Sequence, residues 1–105
     1  MSLEKKNARK NFNGICKKRD HYRCLMCRTQ IGDITVHHIM DRHLFKNGGY
    51  VKENGITLCD ACHLKAEWYH QSEGKRWHLG YHPANLFEKI GSSYLAAIEA
   101  DEENE

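Results

Sequence analysis

Short apolar runs alternate with turn-forming clusters along this chain, and each run predicts one small element. Residues from about Lys5 to Arg19 are compatible with a helix, although Gly14 and the asparagines oppose it. Ile31, Ile34, Val36 and Ile39 form an apolar run near a Gly-Asp turn and predict a short strand carrying His37 and His38. Asn47-Gly48-Gly49 is a turn signal. Ile56-Thr57-Leu58 predicts a second short strand. Asp60 then reads as the cap of a helix from Ala61 to about His70. Ser72, Gly74 and Gly80 interrupt the chain. Pro83 opens a helix to about Ile90 that Gly91 ends, and Ser92 or Ser93 caps a last helix from Tyr94 to about Ala100. The central order is strand, loop, strand, helix.

The cysteines change this picture most. Cys24-x-x-Cys27 lies on the predicted loop from Asp20 to Arg28, and Cys59-x-x-Cys62 joins the second strand to its helix. Two such pairs have the ligand set of a tetrahedral zinc site. The gap of 31 residues between them is longer than in a plain zinc ribbon, and it holds His37, His38 and Asn54, with His63 directly after the last cysteine. That set suggests a second, different metal site. Cys16 belongs to no pair and reads as a small buried apolar residue.

With 105 residues the chain has the length of one domain with a thin core, for which zinc is a common staple. The apolar fraction of 40% and charged fraction of 29% exclude a disordered chain. No apolar stretch approaches the ~20 residues of a membrane span. Met1 to Lys10 is charged and has no apolar core of a secretory signal, so a reducing, cytoplasmic setting is expected. There, paired cysteines read as metal ligands rather than disulfides. The net charge of +2 conceals an asymmetry. Residues 1–30 hold nine Lys and Arg against Glu4 and Asp20, a net +7, whereas residues 71–105 hold three basic and seven acidic residues, a net −4. A basic arm beside a metal-rich module suits the phosphate backbone of a nucleic acid; Lys17, Lys18 and Arg19 are its candidate contacts, and a solvated, salt-bridged helix is the other reading. Glu99 to Glu105 reads as a solvated acidic tail.

The stretch Arg19 to Glu67 resembles the HNH endonuclease family, whose members share a ββα-metal core. The resemblance rests on Cys24-x-x-Cys27, His37-His38-Ile39, Asn54 and Leu58-Cys59-x-x-Cys62-His63, and covers about half the chain. It implies an α+β fold: a small zinc-stapled ββα-metal core with flanking N- and C-terminal helices. The expected organisation is a basic N-terminal helix or arm over 1–19, the nuclease core over 20–71, a helical extension over 72–98 and an acidic tail over 99–105.

The resemblance also assigns roles. His38 falls at the general-base position, and imidazole is the side chain whose pKa suits deprotonating water near neutral pH. His37 falls where members carry a metal-binding Asp or His, and His63 at the last metal-binding letter of the motif. Glu67 shares the helix face of His63 at i+4 and is the third candidate ligand; its alternative is an exposed Glu pairing with Lys or Arg. Bacterial toxin DNases of the superfamily carry a second His at that place. Asn54 is expected to hold the loop that orients His38. Adjacent strand residues point to opposite faces, so joint action of His37 and His38 requires a twisted or irregular strand end. A divalent ion on His37, His63 and Glu67 is left open among Mg, Mn, Ni and Zn. Arg42 is a candidate phosphate clamp, with Asp41 or Glu67 as alternative partners. His43 reads as a surface residue, and His21, His70, His78 and His82 as structural or surface residues. Trp68, Tyr69, Trp77 and Tyr81 read as core between the motif helix and the C-terminal helices, with base stacking as the alternative.

The implied function is metal-dependent hydrolysis of DNA, by nicking or double-strand cleavage, leaving a 5′-phosphate and a 3′-hydroxyl. A zinc-stapled nucleic-acid-binding module without catalysis is the alternative, and His38 separates the two. A cross-braced RING-type domain lacks its eight alternating ligands. The small size fits a phage or mobile-element protein, acting as monomer or homodimer.

Overall fold

The computed structural model describes residues 3–103, with side chains from Lys10 onward. Lys5, Lys6 and Arg9 of the basic arm therefore have side chains outside the described residues, as does the end of the acidic tail at 104–105. Helix α1 spans Leu3–Arg19, strand β1 Ile34–His38, strand β2 Gly55–Cys59, helix α2 Asp60–Gln71, helix α3 Pro83–Lys89 and helix α4 Tyr94–Glu103. Short 3-10 turns at Arg42–Leu44 and Lys52–Asn54 punctuate the long loop between the strands. Among the described residues no helix is long and apolar enough to cross a membrane.

The strands pair antiparallel, with Ile34 opposite Cys59, His37 opposite Ile56 and His38 opposite Gly55. A two-stranded ribbon is marginal alone in water, so both its faces need cover. One face meets α2. Ile56 and Leu58 are fully buried there, in a cluster with Cys62 and Ala66 of α2, Leu86 and Phe87 of α3 and Ala97 of α4. The other face meets α1. Gly55 permits the contact, because a Cβ at this position would lie 2.6 Å from both the Phe12 ring and Cys16 Sγ.

The end of α1 is fastened electrostatically. Arg19 grips the Asp20 carboxylate through Nε at 2.7 Å and Nη2 at 2.8 Å. It also donates to the carbonyl oxygens of Lys52 and Gly55, each at 2.6 Å. Asp20 in turn accepts from the Thr57 amide at 3.0 Å. Arg19 thus joins helix to ribbon, and its guanidinium is directed inward rather than at a nucleic-acid backbone as its charge had suggested.

Three other expectations change. Asp60 is not the cap of α2; it is the first helical residue, and Cys59 holds the cap position without a side-chain bond. Ile31 lies outside β1 and is 86% exposed, because Gly32 turns the chain at φ 81° before the strand begins. Trp68, Tyr69, Trp77 and Tyr81 do not enter the core cluster as a group. Tyr81 packs against it, while Trp68 lies tilted against His78 at 4.7 Å and Trp77 edge-on to His82 at 4.7 Å nearer the surface.

The acidic tail differs most. Helix α4 continues through it to Glu103, and Asp101 is buried. Asp101 accepts from the amides of Asn47 at 2.9 Å and Gly49 at 2.8 Å, and its carbonyl accepts from the Asn47 side chain at 2.8 Å. The turn itself carries Gly48 and Gly49 at φ of 89° and 69°, and the Asp101 carboxylate takes up the amides of Asn47 and Gly49 on either side of Gly48. Asp101→Ala is expected to cost about 3 kcal/mol, because two amides lose a charged acceptor. Urea unfolding of the zinc-loaded protein measures this, with exposed Glu103→Ala unchanged beside it.

Candidate active site and metal clusters

Four cysteine sulfurs converge where the first loop crosses the end of β2. Cys24 and Cys27 come from the loop after α1, Cys59 from the last position of β2 and Cys62 from the first turn of α2. All four sulfurs lie within 4.8 Å of one another, and those of Cys27 and Cys59 are 3.6 Å apart. Tetrahedral zinc with bonds of about 2.3 Å places its sulfurs about 3.8 Å apart. The donor set and its spacing therefore fit a structural zinc ion. Burial opposes ionisation of Cys24, but amide donors from Cys27, Cys59 and Met26 outweigh it and bring its pKa to about 6. Burial pushes Cys62 up to about 12. So crowded a set of thiols favours full ionisation only with a cation among them. Tyr81 donates its hydroxyl to Cys62 Sγ at 3.3 Å, joining the C-terminal extension to the cluster. Cys16, by contrast, is fully buried on the α1 side of the ribbon, and burial raises its pKa to about 11.

A second cluster forms on the α2 face of the ribbon. His37 points to this face, as does Thr35 two residues before it. His63 and Glu67 rise from α2 one turn apart. Glu67 Oε1 lies 3.1 Å from His37 Nδ1 and 3.2 Å from His63 Nε2. One donor atom from each of the three residues falls within 4.8 Å of the others. Thr35 Oγ1 sits 2.9 Å from His63 Nδ1, which fixes that ring and leaves Nε2 facing the cluster. Burial lowers the pKa of His37, against the pull of Glu67. Hydrogen bonds from His37 and then His63 hold the Glu67 carboxyl well below the usual carboxylate range. Two imidazoles and one carboxylate suit a divalent cation.

His38 turns to the opposite face. Its ring packs on Phe12 of α1 at 4.6 Å and edge-on to Tyr50 at 5.0 Å. Phe12, Asn13, His38, Arg42 and Tyr50 line a cavity of about 220 Å³. Arg42 donates to the Tyr50 hydroxyl at 3.0 Å. Nε2 of His38 is buried and has no hydrogen-bond partner among the described residues. Burial, followed by the positive charge of Arg42, lowers the His38 pKa to about 4. The ladder with β2 runs to His38, the last residue of β1, and the two adjacent rings leave the strand on opposite faces.

The backbone leaving His38 is clamped. Asn54 is fully buried, and its Oδ1 accepts from the Met40 amide at 2.9 Å. Its Nδ2 donates to the carbonyls of Met40 at 3.1 Å and Gly49 at 3.2 Å, and its own carbonyl accepts from the Ile39 amide at 2.9 Å. Asn54 also links this loop to the turn held by Asp101.

Of the residues singled out in the sequence, the four cysteines form one group and His37, His63 and Glu67 another, with His38 on the far side of the same strand. Arg42 is exposed and reaches Tyr50, not Glu67. Lys18 is exposed and Lys17 half-buried on α1. His43 is at the surface, 3.7 Å from Asp41. Sequence reasoning gave no site role to Thr35, Tyr50 or His70, and none at the cysteines to Tyr81. For His70 a signal existed: it follows Glu67 by three residues and His63 by seven, which places all three on one helix face.

A family model described as HNH endonuclease matches residues 14–67, just over half of the chain. No curated protein and no solved structure matches it. The matched span contains both cysteine pairs, the paired histidines, Asn54, His63 and Glu67, the ribbon, and the first two-thirds of α2, up to Glu67. This chain belongs to the HNH endonuclease family.

Proposed function

We propose that this chain is a metal-dependent endonuclease that hydrolyses DNA phosphodiester bonds. The convergence of His37, His63 and Glu67 one residue from a neutral, clamped His38 is the observation that supports it most. A module that only binds nucleic acid needs the zinc cluster and the basic helix, and gains nothing from that cluster.

His37, His63 and Glu67 are the residues to hold the ion. Bound there, a divalent cation would supply positive charge to offset that developing on the scissile phosphate and the leaving oxygen. His38 takes a proton from water as the new oxygen–phosphorus bond forms, and the bond to the 3′ oxygen breaks, that oxygen taking its proton from solvent water. The products carry a 5′-phosphate and a 3′-hydroxyl. His38 ends β1, so a phosphate lying across the strand end reaches both faces of the ribbon. Asn54 keeps that end fixed. Arg42, at the mouth of the His38 cavity, and Lys17 and Lys18 on α1 are the proposed phosphate contacts. Cys24, Cys27, Cys59 and Cys62 hold a structural zinc.

Supercoiled plasmid tests this reading. Protein treated with a mild chelator is expected to leave plasmid intact and to nick or linearise it after addition of Mg, Mn, Ni or Zn. Each site cuts one strand, so nicked product points to a monomer and direct linearisation to a dimer. No cleavage with any of the four ions, alongside salt-sensitive DNA binding and one zinc per chain, would establish the binding module instead.

A further inference from the structure

We infer that His70 is a positioning residue of the candidate active site, holding the peptide group between His38 and Ile39 from the side opposite Asn54. The inference rests on the nuclease reading for its effect on rate. Its geometric half stands without that reading.

His70 is the third residue of the α2 face that carries His63 and Glu67, and its side chain is only 13% exposed. Its Nε2 lies 3.0 Å from the carbonyl oxygen of His38. A carbonyl only accepts, so Nε2 carries the proton and the tautomer is fixed. Nδ1 lies 4.0 Å from an Asp41 carboxylate oxygen. The ring also lies against that of His37, with centroids 5.1 Å apart and planes 37° from parallel.

These contacts converge on one short stretch of backbone. His70 holds the carbonyl of His38, while Asn54 holds the amide of Ile39 and both backbone groups of Met40. The carbonyl of His38 belongs to the peptide that sets the direction in which the strand ends. A rotation of that peptide would swing the His38 ring in its seat between Phe12 and Tyr50. His70 therefore acts on the base from the face of the ribbon that carries the metal cluster. It is the one group among the described residues shown touching both the His37 ring and the backbone of His38.

His70→Phe keeps a flat ring beside His37 and removes the donor. His70→Gln places an amide N–H near the position of Nε2 and removes the ring. In single-turnover cleavage, His70→Phe is expected to be slower by about 10- to 100-fold, the range for loss of a supporting hydrogen bond at such a site, with half-saturation by DNA unchanged. His70→Gln is expected to recover most of that loss. Zinc content and melting temperature, measured on both variants, identify any loss that comes from unfolding. Nitrogen-15 imidazole spectra of the parent are expected to show His70 in the Nε2–H form, and the His38 resonances to move in His70→Phe and return in His70→Gln. Full activity of folded His70→Phe, or equal loss in folded His70→Gln, would overturn the inference. If the parent cleaves no DNA, the nuclease reading fails separately and the spectra decide: an Nδ1–H tautomer or unmoved His38 resonances would overturn the geometric role. Should either variant unfold, the tautomer of His70 in the parent decides in the same way.

Discussion

Cys59→Ala is expected to release zinc and unfold the domain, not to weaken it by a small step. The four sulfurs tie the loop after α1 to the junction of β2 and α2, and Cys59 is also the residue before the first turn of α2. Structural zinc contributes about 10–16 kcal/mol of apparent binding free energy in zinc-finger peptides, while whole domains retain only about 5–15 kcal/mol. Removing one of four thiolates forfeits a large part of the first quantity and so approaches or exceeds the second. Elemental analysis should show less than one zinc per chain, and far-ultraviolet circular dichroism should show lost helix at 25 °C. Cys16→Ala is the contrasting variant. Its sulfur packs beside Gly55, outside the cluster, so it should keep its zinc and lose about 1 kcal/mol. A Cys59→Ala protein that remains cooperatively folded after complete zinc removal would show that α1, α2 and the ribbon hold together without the staple.

The same difference between local and distant information explains what the chain made legible. Ligand spacing is local: each Cys-x-x-Cys pair and the His63-to-Glu67 step lie within one turn, so their geometry follows from backbone regularity. The alternation along β1 also predicted that His37 and His38 face opposite ways. It did not say what would cover each face, because that depends on Gly55, where a Cβ would meet the Phe12 ring and Cys16 Sγ of α1 at 2.6 Å. Charge gave a partial account. Arg19 counted as part of a basic arm, but Asp20 beside it and two carbonyls more than thirty residues away turn it inward. Asp101 counted as tail because its neighbours are acidic; its partners are the amides of a turn more than fifty residues earlier. His70 escaped notice for a related reason. Its partner is a backbone carbonyl, which no residue pattern marks.

His38→Ala is expected to lower the cleavage rate by about 10²- to 10⁴-fold while DNA affinity stays within about threefold. The two quantities separate because of where the ring sits. His38 lies on the α1 face with Phe12 and Tyr50, whereas His37, His63 and Glu67 lie on the α2 face, so truncating His38 leaves the proposed ion ligands and the zinc cluster untouched. Its burial and the nearby Arg42 already keep it unprotonated at neutral pH, so its removal takes away a base rather than a positive charge that attracts phosphate. His63→Ala should differ in kind, since it removes an ion ligand and shifts the metal concentration needed for half-maximal rate. Asn54→Ala should differ again: a fully buried side chain loses three hydrogen bonds to the backbone around the strand end, and stability falls with activity. The cavity of about 220 Å³ beside His38 gives the sharpest check, because it adjoins the space that truncation opens. Added imidazole should enter there and restore part of the rate to His38→Ala, with no effect on His63→Ala. If His38→Ala cut DNA at the parent's rate, the proton from water would have another acceptor, and the base would have to be sought on the α2 face.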